Sequence, residues 1–209
     1  MLSEGFSETV DAASEGDLRV CALPDQLECP DGRVQYPGET ICHSIGTACP
    51  TDGQPFLSEA SIRALAPGFD GRLIYVKPGQ IHGDGSRIFP YGAIIEAEAV
   101  YGDGDIMVLS ADAHTDAFNL TKRIAVVGSC VEKTTIVSPF ATEVTPIISF
   151  SGTDGGQRVA NLRLQGPRAG LVVLNKGAPI SISQVEVLDA VGWGVLFTEA
   201  TGGQVSQFV

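Results

Sequence analysis

The feature of this sequence that most constrains its fold is a repeat of about twenty-three residues in the C-terminal third. The segment Val159-Ala-Asn-Leu-Arg-Leu164 is echoed by Ile182-Ser-Gln-Val-Glu-Val187 and begins again at Val205-Ser-Gln-Phe208. A short unit rich in β-branched residues at this period is typical of a solenoid, because such a unit buries its apolar face only against its neighbours. The repeat therefore predicts a stack of parallel strands.

The alternation of apolar and polar residues shifts by one position at the same place in each copy. Ile180 and Ile182 share one parity, whereas Val185 and Val187 share the other. A sharp bend uses one residue to turn the chain, so that the strands on both sides of the bend can face inward. The bend is predicted at three residues that would stack about 4.8 Å apart as an amide ladder: Asn161, Gln184 and Gln207.

The same alignment places Arg163 beside Glu186 on the outer surface, where an opposite-charge pair contributes about 0.2–1 kcal/mol. Apolar and polar residues also alternate by chance, so an ordinary antiparallel β-domain is the alternative fold.

Composition limits the class of protein. The 209 residues suffice for one sizeable core, and 25 glycines and 12 prolines fit many short strands joined by turns. The net charge is −12 without a cluster of Lys or Arg, which makes nucleic acids and anionic membranes poor partners. No apolar run approaches the length of a membrane span.

Four of the five cysteines lie in one Pro/Gly-rich stretch, which suggests disulfides and export to an oxidising compartment. The disulfide candidates are Cys21, Cys29, Cys42 and Cys49, and their pairing is left open. Zinc bound with His43 is the alternative, although Cys-x-x-Cys knuckles are missing. Cys130 is expected to be a buried free thiol at the end of a strand, and a bond to one of these four cysteines, which would leave a different one free, is the alternative. No signal peptide is visible in Met1-Leu-Ser-Glu-Gly5, so we expect that a leader was removed or that the natural start lies upstream.

Two helices are predicted before the repeated strands. Ser58 can cap a helix that runs to Leu65. Pro90 marks the start of a second helix that ends at Gly102, with an apolar stripe of Ile94, Ala97 and Tyr101. The predicted strands are Leu73–Val76, Ile106–Leu109, Ile124–Val127, Thr135–Val137, Ile147–Phe150, Val159–Leu164, Leu171–Leu174, Ile180–Val187, Val195–Phe197 and Val205 onward.

Residues 75–128, which include the first of these strands, contain five motifs: Tyr75-Val-Lys-Pro-Gly79, Gly83-Asp-Gly85-Ser86, Phe89-Pro-Tyr-Gly-Ala-Ile94, Gly104-Asp-Ile-Met-Val-Leu109 and Ile124-Ala-Val-Val-Gly128. With them, residues 72–209 resemble the right-handed parallel β-helix of the pectin-lyase-like superfamily. Ala93 stands where that family usually has Thr in its capping helix, and Ala113-His114-Thr115 replaces its usual turn.

The resemblance implies an all-β fold, a right-handed parallel β-helix with an N-terminal capping helix, and the repeat gives it about 23 residues per coil. The turn-rich sequence before it predicts an irregular, Cys-containing N-terminal segment. Residues 1–55 are expected to be that acidic and partly disordered segment. Residues 56–209 are expected to hold the capping elements and the β-helix, truncated at its C-terminal end.

The family includes lyases and hydrolases of acidic polysaccharides alongside surface proteins. We expect an exported, extracellular or cell-surface scaffold that contacts polysaccharide or another protein without catalysis of its own. One alternative is a polysaccharide lyase or glycoside hydrolase fragment that lacks its later coils. Another is a structural module that self-associates through its open C-terminal sheet edge.

Few residues suggest chemistry. Asp112, His114 and Asp116 alternate and would share one face of a strand, which suits a divalent metal such as Ca²⁺; a solvated turn is the alternative, and no cofactor is expected. Trp193 lies between two glycines, so it could be a stacking platform for sugars or be folded over the coil edge by a bulge. The predicted outer face offers no lyase constellation among Arg163, Lys176, Glu186 and Glu199.

Overall fold

The computed structural model describes residues 7–8, 21–22, 28–30, 32–36, 39–51, 53–138, 146–151, 156–167, 170–174, 179–191, 193–198 and 204–208. The described chain is mostly β-structure, with parallel sheets and two short helices. It forms two compact units, Met1–Ser44 and Ile45–Val209. No described helix has both the length and the apolar character needed to traverse a lipid bilayer.

The first unit contains two antiparallel pairs of very short strands. Strand β1 (Ser7–Glu8) pairs with β2 (Cys21–Ala22), and β3 (Arg33–Val34) pairs with β4 (His43–Ser44). A disulfide joins Cys29 to Cys42, so neither sulfur is available as a thiolate ligand for zinc. His43 instead contacts the carboxylate of Glu39. The side chain of Cys21 lies outside the described residues.

The second unit contains both helices and the remaining strands. In chain order these are α1 (Glu59–Leu65), β5 (Leu73–Val76), α2 (Ile94–Glu98), β6 (Ile106–Leu109), β7 (Ala113–Thr115), β8 (Phe118–Leu120), β9 (Ala125–Gly128), β10 (Thr135–Val137), β11 (Ile148–Phe150), β12 (Arg158–Gln165), β13 (Leu171–Val173), β14 (Ser181–Leu188), β15 (Val195–Phe197) and β16 (Gln204–Phe208).

The strands of this unit pair in three parallel rows. The longest row has the order β5, β6, β9, β12, β14, β16. A second row joins β7 to β10 and β10 to the later half of β12, and a third has the order β8, β11, β13, β15. Each row gathers strands that are distant in sequence, as crossover connections between parallel strands require.

The predicted period of the repeat is confirmed by the strand register. Val159 lies opposite Ile182, and Ile182 lies opposite Val205. The predicted bend is also confirmed in two copies, because Asn161 and Gln184 adopt positive φ angles of 62° and 55°. Residues before Asn161 pair with β9 and residues after it pair with β10. One residue at the bend therefore redirects the strand from the first row to the second.

The amide of Asn161 does not extend a hydrogen-bonded ladder to Gln184. Its two amide hydrogens are donated to the Thr47 hydroxyl at 2.9 Å and to the Gly128 carbonyl at 2.8 Å. Its oxygen accepts the Thr47 N–H at 2.8 Å. Gln207 lies at the matching position of β16, and its side chain is outside the described residues. The expected ladder is thus replaced by bonds from Asn161 to the segment that precedes α1.

The apolar core lies on one side of the long row and includes residues of all three rows. Its fully buried members include Val76, Met107, Leu109, Leu120, Val126, Ile136, Ile148, Phe150, Val159, Leu162, Leu164, Leu171, Val173, Ile182 and Val185. Apart from His114 in β7, the described inward side chains are apolar in every row, so successive strands add layers to a continuous core. Each copy of the sequence repeat therefore supplies one layer of the packed core.

A second apolar layer covers the other face of β5, β6 and β9. Side chains from residues 56–69, including Phe56, Ile62 and Phe69, pack against the sheet residues Tyr75, Ile106, Val108, Ala125 and Val127. Burial on both faces explains the uninterrupted apolar sequences of these strands.

A disulfide between Cys49 and Cys130 links the segment before α1 to the end of β9. Cys130 is fully buried, as expected, but the expectation of a free thiol is wrong, and the alternative of a bond to one of the four N-terminal cysteines is confirmed. Residues 45–55, grouped with the N-terminal segment on sequence grounds, belong by their contacts to the second unit. The Ser129 hydroxyl also reaches the Pro55 carbonyl at 3.0 Å. The segment is therefore held both covalently and by hydrogen bonds.

Helix α1 has the predicted cap, since the Ser58 hydroxyl accepts the Ser61 N–H at 3.2 Å. Helix α2 is shorter than the predicted Pro90–Tyr101 and begins at Ile94. Tyr91 cannot join the helix because its N–H and carbonyl bond to Tyr75 and Lys77 as an extended segment. Ala93 at the cap position has no side-chain acceptor, so two carboxylates serve this end of the helix: Glu96 accepts the Ala93 N–H at 3.2 Å, and Asp116 accepts the Ile94 N–H.

The free edge of β5 is covered by the loop of residues 83–91. Within this contact the Tyr75 N–H donates to the Gly85 carbonyl at 2.8 Å, and the Tyr91 N–H donates to the Tyr75 carbonyl at 2.9 Å. The backbone N–H and carbonyl of Tyr75, which face away from β6, therefore have partners in the chain itself.

Arg163 and Glu186 are paired across β12 and β14 as expected, but the pair is not exposed. Each residue is only 6% accessible, and Arg163 Nε lies 2.5 Å from Glu186 Oε2. The surface estimate of about 0.2–1 kcal/mol therefore does not apply to this pair.

Candidate functional site

Trp193, the candidate for stacking against a sugar, is 55% exposed. Its backbone carbonyl accepts the Gly170 N–H at 3.3 Å, which places the residue beside the start of β13. Flat rings with one polar edge suit contact with a ligand that is partly apolar and partly hydroxylated. The indole is accessible to such a ligand, and its role as a stacking platform remains a prediction.

The three metal candidates do not converge. His114 is the middle residue of β7 and is 2% exposed. It therefore lies neither in a solvated turn nor on an exposed strand face shared with Asp112 and Asp116. The Asp116 carboxylate accepts the Ile94 N–H at 2.9 Å and thereby caps α2. Among the residues that the structure describes, no three His, Cys, Asp or Glu side chains are close enough together to hold a metal ion.

His114 and Ser110 do not form a nucleophile–base pair. The Nε2 atom of His114 lies 3.2 Å from the Ser110 carbonyl and 3.5 Å from its hydroxyl. A carbonyl only accepts, so Nε2 carries the hydrogen and cannot take a proton from the hydroxyl. Burial lowers the pKa of His114 and favours the neutral imidazole. This contact is structural.

The most developed polar surface is the outer side of the third row, which we call the β8–β15 face. It consists of Asn119, Ser149, Ser151, Val172, Leu174 and Leu196. The strand register aligns Asn119 with Ser149, Ser149 with Val172, and Val172 with Leu196. In β8, β11 and β13 the residues flanking the middle position are buried, so the middle side chain points away from the core.

Three of these residues form a hydrogen-bonded cluster, the Asn119 trio. The hydroxyls of Ser149 and Ser151 each lie 2.9 Å from Asn119 Oδ1, and Asn119 Nδ2 lies 2.7 Å from the Ser151 hydroxyl. The cluster spans β8 and the end of β11. Because its members hold one another, their polar atoms are fixed in position at the surface.

Two carboxylates lie next to the Asn119 trio. Glu98, at the end of α2, accepts the Asn119 backbone N–H at 3.3 Å. Burial raises the pKa of Glu98, and the neighbouring Asp116 carboxylate raises it further. Burial also raises the pKa of Asp116, against the effect of its bond from the Ile94 N–H. This end of the face is therefore polar and acidic.

The other end of the face is apolar. Leu174 is 48% exposed, and Val172 and Leu196 are partly exposed. Trp193 lies beside the same strands. The face thus changes from hydrogen-bonding groups on β8 and β11 to apolar groups on β13 and β15. A ligand that lies across the strands would meet both kinds of surface.

The outer-face residues considered for lyase chemistry are not assembled for it. Arg163 and Glu186 are buried against each other, so neither reaches a substrate. Lys176 and Glu199 lie outside the described residues.

The Asn119 trio was missed from the sequence, although a signal for it exists. Phe118-Asn-Leu120 and Ile148-Ser-Phe150 are both apolar–polar–apolar triplets, whose middle residues point outward in a strand. Glu98 carried no such signal, because its position beside Asn119 depends on how α2 packs against β8.

Comparisons of this chain with protein-family models, with curated proteins and with solved structures give no match.

Proposed function

We propose that this chain is an exported right-handed parallel β-helix of the pectin-lyase-like kind that contacts polysaccharide through the β8–β15 face, without catalysis of its own. The helical architecture is supported by three rows of parallel strands in which successive layers repeat after one unit of sequence. It is further supported by the bends at Asn161 and Gln184, which connect two rows within single strands. Right-handed crossovers are the rule for parallel strands.

The observation that carries the proposed function is the composition of the β8–β15 face. It offers fixed amide and hydroxyl groups at one end and partly exposed aliphatic side chains at the other. The exposed Trp193 is bonded through its backbone carbonyl to Gly170 at the start of β13. Polysaccharides present hydroxyl groups at the edges of their rings and C–H groups on the ring faces. A surface that matches both kinds of group orients a sugar chain and excludes water from its apolar side.

Export is supported by the two disulfides, Cys29–Cys42 and Cys49–Cys130, since such bonds persist in oxidising compartments. An extracellular scaffold would also meet polysaccharide at cell surfaces. Protein contact is the other partner class for the same face.

The test is retention of the full chain on a panel of immobilised neutral and acidic polysaccharides. Wild-type protein is expected to be retained, and Trp193→Ala is expected to weaken retention about tenfold through loss of the indole surface. Phe89→Ala is the matched control, because Phe89 is an aromatic residue that is 62% exposed on the loop covering β5. Absence of retention on every polysaccharide would refute the proposal. Release of unsaturated sugar products would favour the lyase alternative.

A further inference from the structure

The hydrogen bonds inside the Asn119 trio determine what the trio can offer a ligand. Asn119 Oδ1 can only accept, so the single hydroxyl protons of Ser149 and Ser151 are both donated to it at 2.9 Å. Both lone pairs of the Ser149 oxygen and one lone pair of the Ser151 oxygen then remain for other donors. One amide hydrogen of Asn119 is used on Ser151, which leaves one further hydrogen on the amide nitrogen. The trio therefore presents mainly acceptors to the solvent.

The carboxylates beside the trio add to this polarity. An ionised Glu98 only accepts hydrogen bonds, and its carboxylate already accepts one from the Asn119 backbone N–H. The Asp116 carboxylate contributes to raising the pKa of Glu98, so its negative charge is felt at this end of the face. A further acidic group brought here by a ligand would meet repulsion, and only the remaining amide hydrogen of Asn119 could donate to it.

The described cations nearest in sequence to β8 are engaged elsewhere. The Lys122 ammonium donates to the Tyr101 carbonyl at 3.1 Å and lies 5.3 Å from the centre of the Tyr101 ring. Arg123 donates to the Gly68 carbonyl at 2.6 Å and stacks on Phe69. Arg168 and Lys176 lie outside the described residues. Among the residues that the structure describes, no salt bridge joins Glu98 or Asp116 to a cation. The polar end of the face therefore has acceptors and carboxylates that no ion pair neutralises.

We infer that the β8–β15 face selects a neutral, hydroxyl-rich glycan over an acidic one. Sugar hydroxyls donate to the Ser149 and Ser151 oxygens and to Glu98, and the ring faces pack on the apolar half beside Trp193. Four strands about 4.8 Å apart give this face a width of roughly 14 Å, which accommodates a short run of sugar units. A uronate carboxylate offers only acceptors, so it would leave these groups unpaired. This inference rests on the proposed function and specifies its ligand.

The experiment compares binding of a neutral hexasaccharide, such as cellohexaose or mannohexaose, with binding of hexagalacturonate by titration calorimetry. Wild-type protein is expected to bind a neutral oligomer at least about tenfold more tightly than the acidic one, with little dependence on salt. Glu98→Gln is expected to narrow that preference by weakening the repulsion of the acidic oligomer. Ser149→Ala is expected to weaken neutral binding about fivefold through the lost acceptor.

Ser61→Ala removes a serine hydroxyl on α1, away from this face, and is the matched control. Thermal unfolding of each variant establishes that it is folded. Equal or tighter binding of hexagalacturonate by the wild-type protein overturns the inference but leaves polysaccharide contact intact. Unchanged neutral binding by folded Ser149→Ala also overturns it. If no oligomer and no longer polysaccharide binds, the proposed function itself fails.

Discussion

Arg163 and Glu186 lie opposite each other on neighbouring parallel strands, 23 residues apart in sequence, and are joined by a charge-assisted hydrogen bond while both are almost inaccessible to solvent. The contribution of such a buried ion pair to stability requires both charged side chains. Removing one partner leaves a charge in a medium that solvates it poorly. The pair therefore makes the alignment of β12 with β14 sensitive to a single substitution.

We predict that Glu186→Ala lowers the free energy of unfolding by about 3–5 kcal/mol, as measured by urea denaturation. The double variant R163M/E186L is expected to be more stable than Glu186→Ala, because no charge remains buried. Glu59→Ala provides the control: Glu59 pairs with Arg63 on the exposed surface of α1, and its loss should cost less than about 1 kcal/mol. A loss at Glu186 as small as that at Glu59 would contradict the prediction.

We predict that Gln184→Asn stabilises the protein by about 1 kcal/mol. Gln184 has a φ of 55°, which asparagine adopts more readily, and its buried side-chain oxygen has no hydrogen-bond partner among the described residues. The reciprocal change, Asn161→Gln, should destabilise, because the bonds to Thr47 and Gly128 need the shorter side chain. Equal unfolding midpoints in urea for both variants and the wild type would show that backbone conformation does not decide the residue at the bend.

We predict that the two disulfides contribute unequally. Cys49 and Cys130 are 81 residues apart, whereas Cys29 and Cys42 are 13 apart. The conformational entropy that a disulfide removes from the unfolded chain grows with the length of the closed loop. It corresponds to about 4.5 kcal/mol for the longer loop and about 3 kcal/mol for the shorter. Denaturation of C49A/C130A and of C29A/C42A measures the difference, and a larger loss in C29A/C42A would run against the prediction.

We predict that His114 makes stability fall as the pH decreases below about 6.5, the usual value for an unfolded histidine. Burial lowers the folded-state pKa, so the unfolded chain takes up this proton first. The contribution is thus fully present above the unfolded pKa and is lost as the pH falls toward the folded one. His114→Asn should flatten the slope between pH 7 and about pH 5.5 in urea denaturation.

The control for this measurement is His82→Asn, which replaces a histidine on an exposed loop. If the free energy of unfolding of His114→Asn depends on pH as steeply as that of the wild type, the buried imidazole is not the cause of this dependence.

The repeat predicted the strands well where packing follows a regular pattern. Period and parity located the bend at Asn161 and the register between Val159 and Ile182, because inward positions in successive layers must be apolar. Strand β7 was not among the predicted strands. Its inward residue, His114, is polar, so the alternation of apolar and polar residues did not indicate a strand there. The start of α2 was predicted too early, because Tyr91 is held in an extended segment at the edge of β5. That contact joins distant segments of the chain and leaves no signal in the local sequence.

The pairing of Cys49 with Cys130 could not be read from spacing, since it arises only when the end of β9 is brought to the segment before α1. The candidate site was predictable in part. Trp193 was identified as a flat residue between glycines, and its exposure agrees with that role without testing it. Ser149 and Asn119 come together only through the register of β8 with β11.

The loop of residues 83–91 has a consequence for behaviour at high concentration. An uncovered parallel sheet edge is a template on which another molecule can dock its own backbone and begin fibrous growth. Since Gly85 and Tyr91 already occupy the outward groups of Tyr75, that side of the sheet cannot nucleate such growth while the loop stays in place. Substitutions that open this loop would therefore reveal themselves first as precipitation rather than as loss of ligand binding.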